Sequence, residues 1–202
     1  MKVNFEVTPD TLDPTTVYGD EAVVYRQQFP QHATITWNDI VPMWQEERNN
    51  DFLRMLHIAP VPVPDEKVHM NEVVYDGESD MPDLSNEHDR SIYMPTLITH
   101  TQDNLNDRVR EIVQEEAKEQ YKLNNLHIYS TLLAESFVFK SHKDPHSIML
   151  VQCIGNTQYG FEDGRNIMLE PGDGLYIPRG IYHAPRVFGP RVTFSYNWHY
   201  RR

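Results

Sequence analysis

Two stretches decide the reading of this chain: Ser141-His142-Lys143-Asp144, and the string Gly172-Asp173-Gly174-Leu175-Tyr176-Ile177-Pro178-Arg179-Gly180-Ile181-Tyr182-His183. In an extended segment, residues two apart face the same side, so His142 and Asp144 can both aim into a barrel. The Pro178-Arg179-Gly180 turn lets the chain reverse and deliver His183 to the same interior. Two imidazoles and one carboxylate on one face leave coordination positions open, the arrangement of non-haem Fe(II) sites. A His-x-Asp pair alone says little in a chain with 10 His. The Gly-x5-Pro-x-Gly-x2-His string is far more constrained, and the two in order on consecutive strands identify a metal site.

Working outward, the chain from Leu126 onward is a succession of short β-like runs. They are 126–134 (LHIYSTLLA), 136–140 (SFVFK), 147–154 (SIMLVQCI), 157–161 (TQYGF), 166–170 (NIMLE), 174–178 (GLYIP) and 191–200 (RVTFSYNWHY). Turn signals at Glu162-Asp163-Gly164 and Pro171–Gly174 separate them. Closely spaced strands with such turns predict an all-β sandwich or barrel. Two prolines in 184–190 predict an irregular segment there. The fold class expected is mainly β, a double-stranded β-helix of cupin or jelly-roll type with supporting N-terminal helices. Residues 126–202 would form its core, and 1–125 would supply strands and helices packed on the barrel within one structural domain.

In that first part, Ala22–Arg26 has strand composition, Thr36–Asp39 looks like a capped helix start running to about Asn50, and 52–58 is apolar enough for a strand. Residues 59–64 form a Pro-rich connector and 76–90 a polar loop. Leu105, Val109, Ile112, Val113, Ala117 and Tyr121 recur at helical spacing, predicting a helix over 104–123 with one face packed inward.

Composition narrows the function classes. The chain has 202 residues, 39% hydrophobic, with 8 Phe and 11 Tyr, as a globular domain requires. Its net charge of −12 weighs against a nucleic-acid partner, since phosphate binding needs clustered Lys and Arg. Cys153 stands alone, so neither a disulfide within the chain nor a Cys-rich zinc site is available, and it reads as a small core residue. With no signal-peptide pattern and no membrane-length apolar run, a cytoplasmic protein without a membrane is expected.

The string from His142 to His183 resembles the JmjC-like and cupin-like 2-oxoglutarate oxygenases, especially the asparaginyl and ribosomal-protein hydroxylases. Residues 142–156 (HKDPHSIMLVQCIGN) look like their first metal strand and the one after it, including Asp144-Pro145 and Gln152, and 169–185 (LEPGDGLYIPRGIYHAP) look like the second. Residues 21–30 and 35–44 are more weakly similar to the family's N-terminal strand and helix. The resemblance implies a double-stranded β-helix with Fe(II) held by His142, Asp144 and His183. It also implies oxidative decarboxylation of 2-oxoglutarate as co-substrate, and hydroxylation of a protein or peptide side chain.

The chain departs from that family where the co-substrate would be held. Thr157 stands where many members carry a Lys or Arg, and Ile148 where a polar Asn is common. A dianion inside a barrel needs a charge-assisted partner. Arg191, on the strand after His183, is the first candidate and Lys140 the second, with Tyr129, Thr131 and Asn197 able to add hydrogen bonds. His146 shares the parity of His142 and Asp144 and could be a fourth ligand, although a pocket-lining role suits it better. Two other readings stay open: a metal-dependent cupin enzyme that does not use 2-oxoglutarate, and a non-catalytic barrel.

Overall fold

The computed structural model describes residues 21–45, 53–56, 85–87, 90, 94, 96–100, 105–117 and 126–198. Ten strands and two α-helices follow one another among them. They are β1 (Val23–Tyr25), α1 (Trp37–Gln45), β2 (Leu53–Leu56), β3 (Thr96–His100) and α2 (Asp107–Ala117), then β4 (Leu126–Thr131), β5 (Ser147–Ile154), β6 (Thr157–Phe161), β7 (Asn166–Leu169), β8 (Gly174–Ile177), β9 (His183–Val187) and β10 (Arg191–Trp198). A seven-stranded antiparallel sheet runs β1-β8-β5-β10-β4-β3-β2, and a three-stranded antiparallel sheet runs β7-β6-β9. The three early strands thus extend the same large sheet that the later ones build.

Period-two alternation sorts the large sheet into two faces. Met149, Val151 and Cys153 of β5, Val192, Phe194 and Tyr196 of β10, and Leu126 and Ile128 of β4 turn outward into one core. There they meet Ile40, Met43 and Trp44 of α1 and Val109 and Val113 of α2. The opposite face looks at the small sheet: Ile148 and Leu150 of β5 and Leu175 and Ile177 of β8 pack with Tyr159, Phe161 and Leu169. This second core is the barrel interior. Both faces of β5 are covered, which is why its sequence reads as a nearly continuous apolar run, whereas β10 alternates apolar residues facing the helices with polar ones facing the barrel interior.

The helices begin where their caps dictate. The Thr36 amide and hydroxyl both donate to the Asp39 carboxylate, at 2.8 and 2.7 Å. Asn106 accepts from the Val109 amide at 2.9 Å and donates to the Asp39 carbonyl at 2.6 Å, tying α2 to α1. β1 is locked to the barrel by Asp173, a buried carboxylate that accepts from Arg26 Nη1 (2.5 Å), the Gln27 amide (3.0 Å) and the Glu170 amide (3.1 Å). The turn holding Asp173 needs Gly172 at φ 91°, a left-handed conformation that glycine adopts at little cost.

Three expectations are corrected or narrowed. The run 136–140 is not a strand: the Phe137 amide donates to the Met94 carbonyl at 2.6 Å, and its own carbonyl accepts from the Thr96 hydroxyl at 2.6 Å, so it bypasses the ladder. The segment 184–190, expected to be irregular, is ordered in its first part: β9 runs over His183–Val187 despite Pro185. His183 exchanges both its backbone bonds with His142 on the side away from β6, so the backbone groups of alternate residues, Pro185 included, also face away from β6. The N–H that proline lacks is therefore not missed in the ladder. The described α-helix spans 107–117, and the flanks of the 104–123 expectation lie largely outside the described residues, as do the 59–64 connector and most of the 76–90 loop.

Candidate metal centre

His142 and His183 are joined by a single antiparallel bridge, each amide donating to the other's carbonyl at 3.0 and 2.8 Å. This sets the two rings side by side, centroids 4.4 Å apart. The Gly180 amide, in the turn that precedes His183, donates to the Asp144 carbonyl at 3.0 Å and pins the carboxylate-bearing residue against the same point. Gly180 itself has φ 79°, as that turn demands. The ligand-capable atoms of His142, Asp144 and His183 all lie within 4.8 Å of one another. His183 Nε2 is 3.5 Å and His142 Nε2 4.0 Å from the Asp144 oxygens.

The imidazole tautomers follow from the partners of the other ring nitrogens. His142 Nδ1 is 2.8 Å from the Lys140 carbonyl and His183 Nδ1 is 3.1 Å from the Ile181 carbonyl. A carbonyl only accepts, so each Nδ1 carries the proton and each Nε2 offers its lone pair to the shared point. Burial pushes the His183 pKa below its ordinary value, keeping the ring neutral and fit to ligate. His183 is 3% exposed, whereas His142 and Asp144 stand at the mouth with side chains about a third exposed. The donor set therefore fits one divalent metal with an open face toward solvent.

Behind the three residues lies a cavity lined also by Tyr129, Tyr159, Ser195 and Arg191. Arg191, the first residue of β10, is 3% exposed. Its Nη1 donates to Thr193 Oγ1 at 2.9 Å, and that hydroxyl donates to Gln152 Oε1 at 2.8 Å. Gln152 in turn donates to the Ile154 and Gly155 carbonyls at 2.8 and 2.9 Å. The guanidinium carbon sits 5.8 Å from the centre of the Tyr129 ring. Arg191 Nε is buried with no hydrogen-bond partner, and no carboxylate pairs with this cation among the described residues. Burial lowers the Arg191 pKa from its usual value, although an arginine stays charged in a protein. Burial also drives the phenols of Tyr129 and Tyr159 above their ordinary range, so both remain neutral donors.

The other sequence candidates fall outside this cavity. Lys140 does not point inward: its side chain is 72% exposed and pairs with Glu87 at 2.7 Å. The two-residue parity used for it fails because 136–140 is not a strand. Thr157 is buried on β6 with its hydroxyl unpartnered, but the cavity is lined by Tyr159, two residues on. Thr131, opposite Arg191, gives its hydroxyl to the Gly189 carbonyl at 3.3 Å. Asn197 is half-buried opposite Ile148, and Ile148 itself lines the cavity. His146 is exposed and lies outside the three-residue cluster. Sequence reasoning did not single out Tyr159, Ser195 and Thr193. Alternation along β10 from Arg191 would have reached Thr193 and Ser195, and alternation along β6 from Thr157 would have reached Tyr159.

Comparison with known proteins agrees with this architecture. A JmjC domain model matches residues 157–202. No curated protein sequence matches the chain significantly. Among solved structures, YcfD, a ribosomal oxygenase from Escherichia coli, superposes with a TM-score of 0.60 at 14% identity, covering 90% of this chain and 48% of that one. Its complex with cobalt and succinic acid gives a TM-score of 0.59 at 14% identity, covering 90% and 49%. The complex with cobalt and 2-oxoglutarate gives 0.55 at 15%, covering 90% and 48%. The chain thus spans about half the length of these relatives. With two facing antiparallel sheets and a His-Asp-His cluster between them, the chain has the double-stranded β-helix fold of these structures, and its segment 157–202 is similar to a JmjC domain.

Proposed function

We propose that this chain is an Fe(II)- and 2-oxoglutarate-dependent oxygenase that hydroxylates a protein side chain. The observation that carries the reading is Arg191: a buried guanidinium with no anionic partner, lining the same cavity as His142, Asp144 and His183. Burying an unpaired charge costs on the order of several kcal/mol, so such a group marks the place of an anion that arrives from outside. A ligand reaching both the metal position and Arg191 needs an anionic group at its far end, which 2-oxoglutarate has.

His142, Asp144 and His183 would hold the metal. Arg191 would receive the distal carboxylate, with Tyr129, Tyr159 and Ser195 as neutral hydrogen-bonding neighbours. Thr193 and Gln152 brace the guanidinium so that its direction is set before the ligand enters. Fe(II), when bound, would supply the oxidative chemistry that couples decarboxylation of 2-oxoglutarate to hydroxylation. The relatives' description as ribosomal oxygenases, and their complexes with cobalt and 2-oxoglutarate or succinic acid, support the co-substrate and a protein as substrate. No helix among the described residues is long and apolar enough to cross a membrane, and a buried lone Cys153 suits a reducing cytoplasm.

The test is succinate formation from 2-oxoglutarate with Fe(II) and ascorbate, measured with Arg191→Ala in parallel. Succinate from the native chain, and a raised 2-oxoglutarate requirement in the variant, are expected. Metal binding without any 2-oxoglutarate binding would favour a cupin enzyme of another kind.

A further inference from the structure

Among the described residues, the barrel is open along one seam. β9 is bonded to β6 on one side, and on its other side the described backbone bonds are the exchange between His183 and His142. Since His183 turns its N–H and C=O outward, Pro185 and Val187 do the same. The Pro185 carbonyl and the Val187 amide and carbonyl have no backbone partner among the described residues. The segment that could have paired with them leaves instead toward β3, held there by Phe137 through Met94 and Thr96.

Between the diverging segments 134–140 and 184–188 lies a groove of about 630 Å³. Phe139 and Pro185 line both this groove and the metal cavity, so the two adjoin. On the rim, Lys140 pairs with Glu87, and Arg186 lies over the Phe188 ring at 5.2 Å.

We infer that the groove takes an extended polypeptide as an added strand on the outer edge of β9. The bound chain runs past the His142–His183 bridge and sends one side chain between Phe139 and Pro185 toward the metal. Backbone acceptors and donors repeating every second residue are matched by another extended backbone and poorly by a small ligand. The rim carries Glu87 and Glu135 against Arg90, Lys140 and Arg186, a net excess of one positive charge, so recognition rests mainly on main-chain bonds and on the pocket that receives the side chain. What then happens to that side chain rests on the oxygenase reading; the binding does not.

The experiment uses short linear peptides of defined sequence on an array. They are screened against the full chain, metal-free and with Mn(II) plus 2-oxoglutarate. Binders are resynthesised with single backbone N-methyl groups, and amide exchange at Val187 is followed in the complex. N-methylation should weaken binding about three- to tenfold at alternate positions only, as loss of single main-chain bonds would, and Val187 exchange should slow. Absence of binders, an N-methyl scan without alternation, or self-association of the chain through this edge would overturn the proposal. Val187→Pro, which removes the outward N–H, should weaken every binder about three- to tenfold and leave the N-methyl alternation in place, because that alternation reads the Pro185 and Val187 carbonyls; if it fails to fold, the scan on the native chain decides. Alternation without Mn(II) or 2-oxoglutarate binding would sink the oxygenase reading and keep the groove. Mn(II) and 2-oxoglutarate binding without alternation would do the reverse.

Discussion

His142 and His183 hold each other by backbone rather than by side chain: two reciprocal amide–carbonyl bonds of 3.0 and 2.8 Å fix their Cα atoms, and the rings follow. The donor positions are therefore built into the fold before any ion arrives. Replacing His142 by Ala removes a donor and leaves the bridge intact. Mn(II) affinity should fall by more than about a hundredfold, beyond what loss of an outer-sphere partner typically causes, with little change in the unfolding temperature. Isothermal titration and thermal denaturation would check both; Asp144→Ala and His183→Ala should behave alike toward the metal.

Arg191→Met has an expected outcome with two opposite signs. The 2-oxoglutarate affinity should fall roughly ten- to a hundredfold, the value of a charge-assisted pair, while Mn(II) affinity stays within about twofold. The ligand-free variant should be more stable than the native chain, by about 1–3 kcal/mol, because a buried unpaired charge is replaced by an apolar side chain of similar length. A destabilised variant would mean that the Thr193 and Tyr129 contacts outweigh the burial cost.

Gly155 sits at φ 63°, and a Cβ there would collide with the Pro190 carbonyl oxygen, next to the Arg191 backbone. The obstacle is backbone, so it cannot swing away. Gly155→Ala should cost about 3 kcal/mol or more, left-handed strain and displacement together, and should weaken 2-oxoglutarate binding as Arg191 is pushed off Thr193. Thermal denaturation and a ligand titration on the surviving fold would test this pair of effects.

In the metal-free chain, stability should fall with acidification on account of His183. Its pKa when folded lies below the ordinary 6.5 because of burial, so the unfolded chain binds a proton that the folded one refuses. The contribution is present above about pH 6.5 and is lost as the pH drops toward the folded value. Urea denaturation at pH about 7.5 and about 5.5 should show a gap that narrows in His183→Gln.

The clustering of His142, Asp144 and His183 was legible because each part of the string obeys a local rule: alternation for His142 and Asp144, a Pro-x-Gly reversal for His183. β9 was not, since a proline weighs against a strand unless one knows that its nitrogen faces away from the neighbouring strand, and that depends on register. The 136–140 run has strand composition, yet its bonds go to Met94 and Thr96, some 40 residues upstream, which no local pattern reveals. Lys140 was misplaced for the same reason, and Tyr159 was passed over because its nearness to Arg191 exists only once β6 and β10 lie on opposite walls. β3 likewise reads as a strand mainly through its partners β2 and β4.

The Arg26–Asp173 lock joins positions 147 residues apart, and β1 can pair only once β8 exists beside it. During synthesis β1 emerges long before that partner does. Closing so long a loop is entropically slow, so the pairing belongs to the last steps of folding rather than the first. Until then Val24 and Phe29, both fully enclosed in the finished molecule, remain exposed to other chains. A nascent chain of this protein should therefore depend on chaperone protection well into its synthesis, and refolding yields should drop steeply with concentration.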